Sequence, residues 1–163
     1  MKPSYLSNNV GCSLLFGFSG KNILHKSNVK NIDLQEILKL TKHQLRFFLA
    51  SKEVEINADN LPNVKAIKST MICVFQNLIS NAAKFSAENK VATLNISAHK
   101  KADTYEIIFT DNGIGMTEKQ LRSVFESGKG LTICQKMLQD VGGKIWINST
   151  LDKGTQVHFT LPI

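Results

Sequence analysis

Residues 69–87 read STMICVFQNLISNAAKFSA, and this stretch decides the fold of the chain. Its apolar residues recur at spacings of three and four, which predicts a helix with one broad apolar face. Asn77, Asn81 and Lys84 fall together on the other side, at i, i+4 and i+7. An amide oxygen suits a hard cation and an ammonium suits a phosphate, so this polar stripe is either a ligand site or an ordinary solvated surface.

The rest of the chain alternates between strand and helix patterns. Alternating apolar residues predict strands at 29–32, 53–57, 91–99, 105–109, 145–149 and 155–161. Helical spacing and capping residues predict further helices at 34–49, 118–125 and 131–141. Residues 59–63 are expected to form a turn, and Ser69 or Thr70 to cap the helix described above. An α+β fold follows, with helices on one face of a mixed, mostly antiparallel sheet.

The composition is that of one globular domain with a basic surface. The 163 residues carry a net charge of +7, which attracts acidic partners or phosphorylated ligands. Binding of nucleic acid is not expected, because the Lys residues are scattered and aromatic residues make up only 7% of the chain.

Three features bear on location. No apolar run approaches transmembrane length, and residues 10–18 lack the basic flank of a signal peptide. The three cysteines have no CxxC spacing and are interpreted as reduced thiols. We therefore expect a cytoplasmic location and no membrane contact by this segment.

Two glycine motifs lie downstream of the helix. Residues 111–115 (DNGIG) directly follow a predicted strand, where a carboxylate can accept a hydrogen bond from an exocyclic amine and glycines let a ring approach the backbone. Residues 128–130 (GKG) precede a predicted helix, whose N-terminus favours an anion. Each motif by itself is equally well explained as a turn.

The combination is more specific than any of its parts. The segments NLISNAAKFS, DNGIGM, VFES and GKGLTICQKMLQDVGGKIWINSTLDKGTQVHFTLP resemble the ATP-binding catalytic domain of sensor histidine kinases, within the gyrase–Hsp90–histidine kinase–MutL superfamily. The resemblance covers residues 30–163 and implies a Bergerat-type fold, a two-layer sandwich of a mixed sheet and three helices with ATP and Mg²⁺ between the helices. Residues 1–29 form a separate segment, either a linker or the remnant of a dimerisation helix.

The resemblance also implies an ATP site. Asn81 looks like the Mg²⁺ ligand, with Asn77 on the same face, and Lys84 would meet phosphate. Asp111 would accept a hydrogen bond from the adenine amino group, and Phe85 would pack on the adenine side. The whole set implied for ATP comprises Asn77, Asn81, Lys84, Phe85, Asp111, Gly113, Ile114, Gly115, Phe125, Gly128, Lys129, Gly130 and Leu131.

The members of this set outside the helix match three family motifs. Gly113 and Gly115 would shape the adenine pocket, and Phe125 resembles the aromatic residue of the F box. Gly128 and Gly130 resemble the last two glycines of the G2 box. No residue of the chain is assigned a certain catalytic role.

The chain departs from the family pattern in three respects. Residues 125–127 lead straight into the second G2 glycine, so the loop that forms the ATP lid in the family is nearly absent. Glu126 holds the first glycine position of the G2 box, and Thr132 stands where a small residue or a Gly-Leu pair is expected. No phosphoacceptor context surrounds any of the four histidines, His25, His43, His99 and His158.

The resemblance implies a kinase domain that donates the γ-phosphate of ATP to a His on a separate dimerisation domain, with a response regulator as the downstream partner. Such a domain is expected in the cytoplasm, alone or as the cytoplasmic part of a membrane-bound sensor. The alternative is a degenerate nucleotide-binding or protein-interaction module, impaired by its missing lid. An ATPase is disfavoured, because Asn77 stands where hydrolysing relatives carry a Glu base, and an amide does not titrate usefully.

Overall fold

The computed structural model describes residues 28–88, 90–126 and 130–163. Its strands are β1 Lys30–Asp33, β2 Val54–Ala58, β3 Asn63–Ala66, β4 Ala92–Lys100, β5 Thr104–Asp111, β6 Ile145–Thr150 and β7 Gly154–Pro162. Its helices are α1 Leu34–Gln44, α2 Arg46–Ser51, α3 Lys68–Lys84, α4 Glu118–Ser123 and α5 Gly130–Asp140. Most of the N-terminal segment 1–29 lies outside the described residues, so its interpretation stays a prediction.

A five-stranded sheet forms one layer of the fold. Its strand order is β2-β4-β5-β7-β6, with β2 parallel to β4 and the other neighbouring pairs antiparallel. β1 and β3 form a separate antiparallel pair. The α+β class and the mixed, mostly antiparallel sheet are therefore confirmed, with α1, α3 and α5 as the three long helices of the other layer.

Helix α3 lies at the centre of the core, between α1 and α5. Phe75 is completely buried and meets Phe109 of β5 edge to face, with ring centroids 5.1 Å apart. Phe159 of β7 also packs against Phe75, at a centroid distance of 6.4 Å. These aromatic contacts fix α3 over β5 and β7. Asn81 of α3 and Asp111 at the end of β5 consequently face the same cavity.

The helix starts agree with the capping rules in two cases and differ in one. Asp33 caps α1 by accepting from the Gln35 N–H at 2.8 Å, and Thr117 forms the predicted capping box with Gln120. α3, in contrast, begins at Lys68 after Ile67, without a side-chain cap, so the expectation of Ser69 or Thr70 as its cap is wrong. Tertiary packing of its apolar face stabilises this start instead.

Two further expectations differ from the structure in detail. The single helix predicted over 34–49 is divided at Leu45 into α1 and α2. The predicted turn 59–63 runs into β3, which pairs with β1 from Asn63. Strand β3 has only four residues, and only Val64 and Ala66 face inward, so its alternation was too short to stand out from the preceding turn residues.

The cysteines depart from the expectation of reduced thiols at one position. Cys134 is a free, buried thiol, and burial raises its pKa to about 12, which makes it unreactive. Cys73 is disulfide-bonded, so the expectation is wrong for that residue. In the described part of the chain, no helix is both long and apolar enough to cross a bilayer.

Candidate functional site

A cavity of about 330 Å³ lies between α3, α4 and the inner face of the sheet. Its volume and its mainly apolar walls suit one planar, drug-sized ring system. The residues that line it are Leu78, Asn81, Phe85, Leu94, Phe109, Asp111, Ile114, Gly115, Met116, Gln120, Ser123, Val124, Leu131, Thr155 and Val157.

Among the described residues that line this cavity, Asp111 is the only carboxylate. The Gly113 N–H donates to its Oδ1 at 2.9 Å. Burial raises the pKa of Asp111, while hydrogen bonds from the backbone of Gly113 and Thr155 act in the opposite direction. A half-buried acceptor on an apolar wall selects a ligand that brings its own donor, such as an exocyclic amine.

The glycines of the 111–115 loop serve close packing of the chain on itself. A Cβ on Gly113 would collide with the carbonyl oxygen of Phe85, and one on Gly115 with that of Thr150. Gly115 also has a φ of +65°, which favours glycine. Ile114 is bonded on both sides, since its N–H donates to Phe85 O at 2.9 Å and its carbonyl accepts from Asp152 N at 2.7 Å. The loop therefore holds Asp111 and Ile114 at the cavity.

The polar stripe of α3 is divided among three environments. Asn81 lines the cavity, and Lys84 is exposed at the C-terminal end of the helix. Asn77 is buried, and its Oδ1 lies so close to Gly130 that a Cβ there would collide with it. Asn77 thus packs α5 onto α3 and does not line the cavity.

Six residues of the implied ATP set meet at the cavity, namely Asn81, Phe85, Asp111, Ile114, Gly115 and Leu131. Gly113 does not line the cavity but contacts a residue that does, since its N–H donates to Asp111 Oδ1. Phe125 packs against the hydrophobic core beside the cavity. Gly128 and Lys129 lie outside the described residues, so their roles stay predictions.

The structure adds lining residues that the sequence patterns had not singled out. The most informative are Gln120, Ser123 and Val124, which form a wall from α4 and the residue that follows it. Met116 lies in the loop before α4. The others lie on strands or in the core stripe of α3, where the apolar pattern indicated burial without showing which residues border a void. Thr155 was detectable only as an inward position of β7.

The described residues offer few side-chain ligands for a metal ion. In the described ranges, no group of three His, Cys, Asp or Glu side chains is arranged to hold a metal ion. The amide of Asn81 fits Mg²⁺ as a neutral oxygen ligand, provided that a bound ligand supplies most of the remaining oxygens. Phosphate groups of a nucleotide are such oxygens.

Comparison with known proteins identifies the family of the chain. The family model described as histidine kinase-, DNA gyrase B- and HSP90-like ATPase matches residues 68–163. The adaptive-response sensory kinase SasA of a Prochlorococcus marinus strain is 32% identical over 155 residues, covering 85% of this chain and 39% of that protein. Cyanobacterial phytochrome A of Nostoc sp. is 31% identical over 144 residues, covering 80% of this chain and 19% of that protein. The chain thus spans well under half the length of these curated relatives.

Solved structures show the same fold. The catalytic domain of histidine kinase ThkA in a nucleotide-free form superposes with a TM-score of 0.70 at 20% identity, covering 82% of this chain and 95% of that one. Full-length ShkA in complex with AMPPNP gives a TM-score of 0.71 at 20% identity, covering 82% of this chain and 31% of that one. The family match extends over more than half of the chain and includes α3, the 111–115 loop and α5. This chain therefore belongs to the family of histidine kinase-, DNA gyrase B- and HSP90-like ATPases.

Proposed function

We propose that this domain binds ATP with Mg²⁺ and donates the γ-phosphate to a histidine on a separate dimerisation domain of a sensor kinase. Membership of the ATPase family implies ATP binding, and the named relatives include a sensory kinase. The observation that carries the proposal is the apolar cavity in which the carboxylate of Asp111 and the α3 amide of Asn81 border the same space.

The purine would occupy the apolar end of this cavity. Phe109, Val157 and Leu94 bound it from the sheet, and Ile114 borders it from the glycine loop. The carboxylate of Asp111 accepts from the backbone of Gly113 and Thr155, and its oxygen on the cavity side would also accept from the adenine amino group. A purine that carries a carbonyl at that position would leave this oxygen without a donor.

The phosphates would lie toward Asn81 and the start of α5. Asn81 would hold Mg²⁺ together with phosphate oxygens, and Lys84 would supply a positive charge from the end of α3. The sequence predicts that Gly128 and Lys129 also contact the phosphates at this end of the site. Bound Mg²⁺ would neutralise charge on the transferring phosphoryl group.

Transfer is favoured over hydrolysis by the chemistry of Asn77. Hydrolysis requires a base that takes a proton from water, and a neutral amide does not do so. Asn77 is also buried, and its amide packs against Gly130. In transfer, the bond between the γ-phosphorus and the bridging oxygen breaks and a phosphorus–nitrogen bond to the acceptor imidazole forms.

The partners follow from this reaction. The acceptor would be a His-bearing dimerisation domain, in the same longer chain or in another, and a response regulator would receive the phosphoryl group next. We expect the reaction to take place in the cytoplasm. None of the histidines of this chain has the sequence context of an acceptor, so the domain should not phosphorylate itself.

Calorimetric titration with ADP or a non-hydrolysable ATP analogue, with and without Mg²⁺, tests the proposal. We expect saturable binding that Mg²⁺ strengthens, and no steady phosphate release from ATP in the absence of an acceptor. Absence of heat at millimolar nucleotide would instead favour the degenerate module. Acceptor-independent phosphate release would favour an ATPase.

A further inference from the structure

The wall that α4 contributes to the cavity has little support of its own. α4 has six residues, none of which is buried, although Gln120 and Ser123 line the cavity. The polar contacts of its side chains are local, namely the capping box with Thr117, the ion pair of Arg122 with Glu118, and the Ser123 hydroxyl on carbonyls of the same helix. A helix this short is not stable in isolation, so its position depends on its contacts with β6 and on what fixes its ends.

The C-terminal end of α4 is joined to α5 by a side-chain hydrogen bond. The Thr132 hydroxyl, in the first turn of α5, donates to the Phe125 carbonyl at 3.0 Å. The bond is half-buried, and it connects residues seven positions apart. Val124 and Phe125 themselves pack against the hydrophobic core, while Val124 also faces the cavity.

We propose that Thr132 is a positioning residue that holds α4 as a fixed wall of the cavity through its hydrogen bond to the Phe125 carbonyl. The expected effect of Thr132 on nucleotide binding rests on the proposed function, whereas its expected effect on the stability of α4 does not. Only residues 126–129 separate Phe125 from the first residue of α5, so the bond ties the wall to α5 across a short connection. It also accounts for a threonine where the family pattern predicted a smaller residue.

The physical consequence is preorganisation of the cavity. With the hydroxyl in place, Gln120, Ser123 and Val124 already stand where they contact a ligand. Without it, the ligand would have to order this wall on binding, and the cost of that ordering would reduce affinity. One hydrogen bond of ordinary strength corresponds to about a fivefold change in affinity.

The test compares Thr132→Val, which removes the hydroxyl at constant shape, with Thr132→Ser, which keeps it. Thr110→Val serves as the matched control, because Thr110 lies in β5 and does not line the cavity. Two quantities are measured: the affinity for ADP by calorimetry, and the hydrogen-exchange rate of α4 amides in the protein without nucleotide. The Leu121 amide, which donates to the Thr117 carbonyl at 2.9 Å, reports on α4 directly.

We expect Thr132→Val to weaken ADP binding about fivefold and to speed exchange in α4 severalfold, with both effects reversed in Thr132→Ser and absent in Thr110→Val. Unchanged α4 exchange in Thr132→Val, with the core amides of α3 equally protected, would overturn the proposal. If the unmodified domain binds no ADP while α4 exchange still responds to the hydroxyl, the positioning role stands and the proposed function fails. If Thr132→Val also lowers the protection of α3 amides, the comparison is repeated with Thr132→Ala. Loss of protection in both α3 and α4 of Thr132→Ala would also overturn the proposal.

Discussion

Asp111 combines a structural and a recognition role in its two carboxylate oxygens. Oδ1 accepts from the Gly113 N–H and so holds the glycine loop, and the second oxygen can accept from a ligand. In Asp111→Asn the amide oxygen would take over the bond from Gly113, which directs the NH₂ group toward the ligand. Two donors would then face each other at the adenine amino group.

We therefore predict that Asp111→Asn lowers the affinity for adenine nucleotides at least about tenfold, because a charge-assisted hydrogen bond is lost and a donor pair is created. Calorimetry with ADP measures the change. Asp103→Asn is the matched control, since Asp103 is an exposed residue between β4 and β5. Equal affinity of Asp111→Asn and the unmodified domain would refute the adenine role.

The raised pKa of Asp111 leads us to predict that the free energy of unfolding depends on pH. Because burial raises the pKa of Asp111 above its ordinary value, the folded protein takes up the proton at a higher pH than the unfolded chain does. Above the pKa of Asp111 in the folded protein, the carboxyl is charged and its burial lowers the free energy of unfolding by the full amount. Protonation removes this cost as the pH falls through that pKa. Relative to Asp111→Asn, the unmodified domain should therefore gain free energy of unfolding on acidification from neutral pH, as measured by urea titrations at several pH values. A difference that moves in the other direction would mean that the hydrogen bonds outweigh burial at this carboxyl.

Asn81 is the residue that we predict to bind Mg²⁺. In Asn81→Ala the amide oxygen that faces the cavity is removed, so the Mg²⁺-dependent part of nucleotide affinity should disappear while the Mg²⁺-independent part remains. Titrations of ADP with Mg²⁺ and with EDTA measure both parts. Undiminished strengthening by Mg²⁺ in this variant would place the metal elsewhere.

At the scale of elements, the packing of α5 on α3 depends on the absence of a side chain at Gly130. A Cβ at this position would meet Asn77 Oδ1, and both residues are buried. We predict that Gly130→Ala lowers the free energy of unfolding by about 1 kcal/mol, the low end of overpacking costs, because the group that has to move is the end of the Asn77 side chain. Chemical denaturation measures it.

The partner substitution provides the control for this prediction. Asn77→Ala removes the atom with which the new Cβ collides, so Gly130→Ala should cost much less in an Asn77→Ala background. A double-mutant cycle separates this coupling from the two single effects. Additive costs would show that the two helices do not meet through this pair.

Elements of the chain were predictable to different degrees. The hairpin of β4 and β5 and the capping box of α4 follow from alternation and from local hydrogen bonding, which act over a few residues. The start of α3 was misjudged, because its apolar face is held by tertiary contacts and a side-chain cap is not needed there. Strand β3 was not predicted, because its four residues alternate over too short a stretch to stand out from the turn residues before it.

At the scale of the molecule, the main hydrophobic core of the described residues joins α3 to the sheet through Phe75. Phe75→Ala should lower the free energy of unfolding by about 3–5 kcal/mol, since it removes a completely buried ring from contact with Phe109 and Phe159. Phe47→Ala is the matched control, because Phe47 is 75% exposed on α2 and should change stability by no more than about 1 kcal/mol. Denaturant titration compares the two. Similar losses in both variants would contradict this account of the core.

The strand and helix patterns along the chain predicted the α+β class, and the motifs in residues 77–86, 111–116 and 128–162 carried the resemblance to histidine kinase ATP-binding domains; both are confirmed by the family match and the fold. These signals are local, since spacing along a helix or strand and the choice of glycine depend on neighbouring residues. Only the tertiary structure decided that Asn81 borders the cavity while Asn77 packs against Gly130, and that α4 forms one of its walls. Which side chains border a cavity depends on how distant segments pack against each other, and no spacing within one segment contains that information.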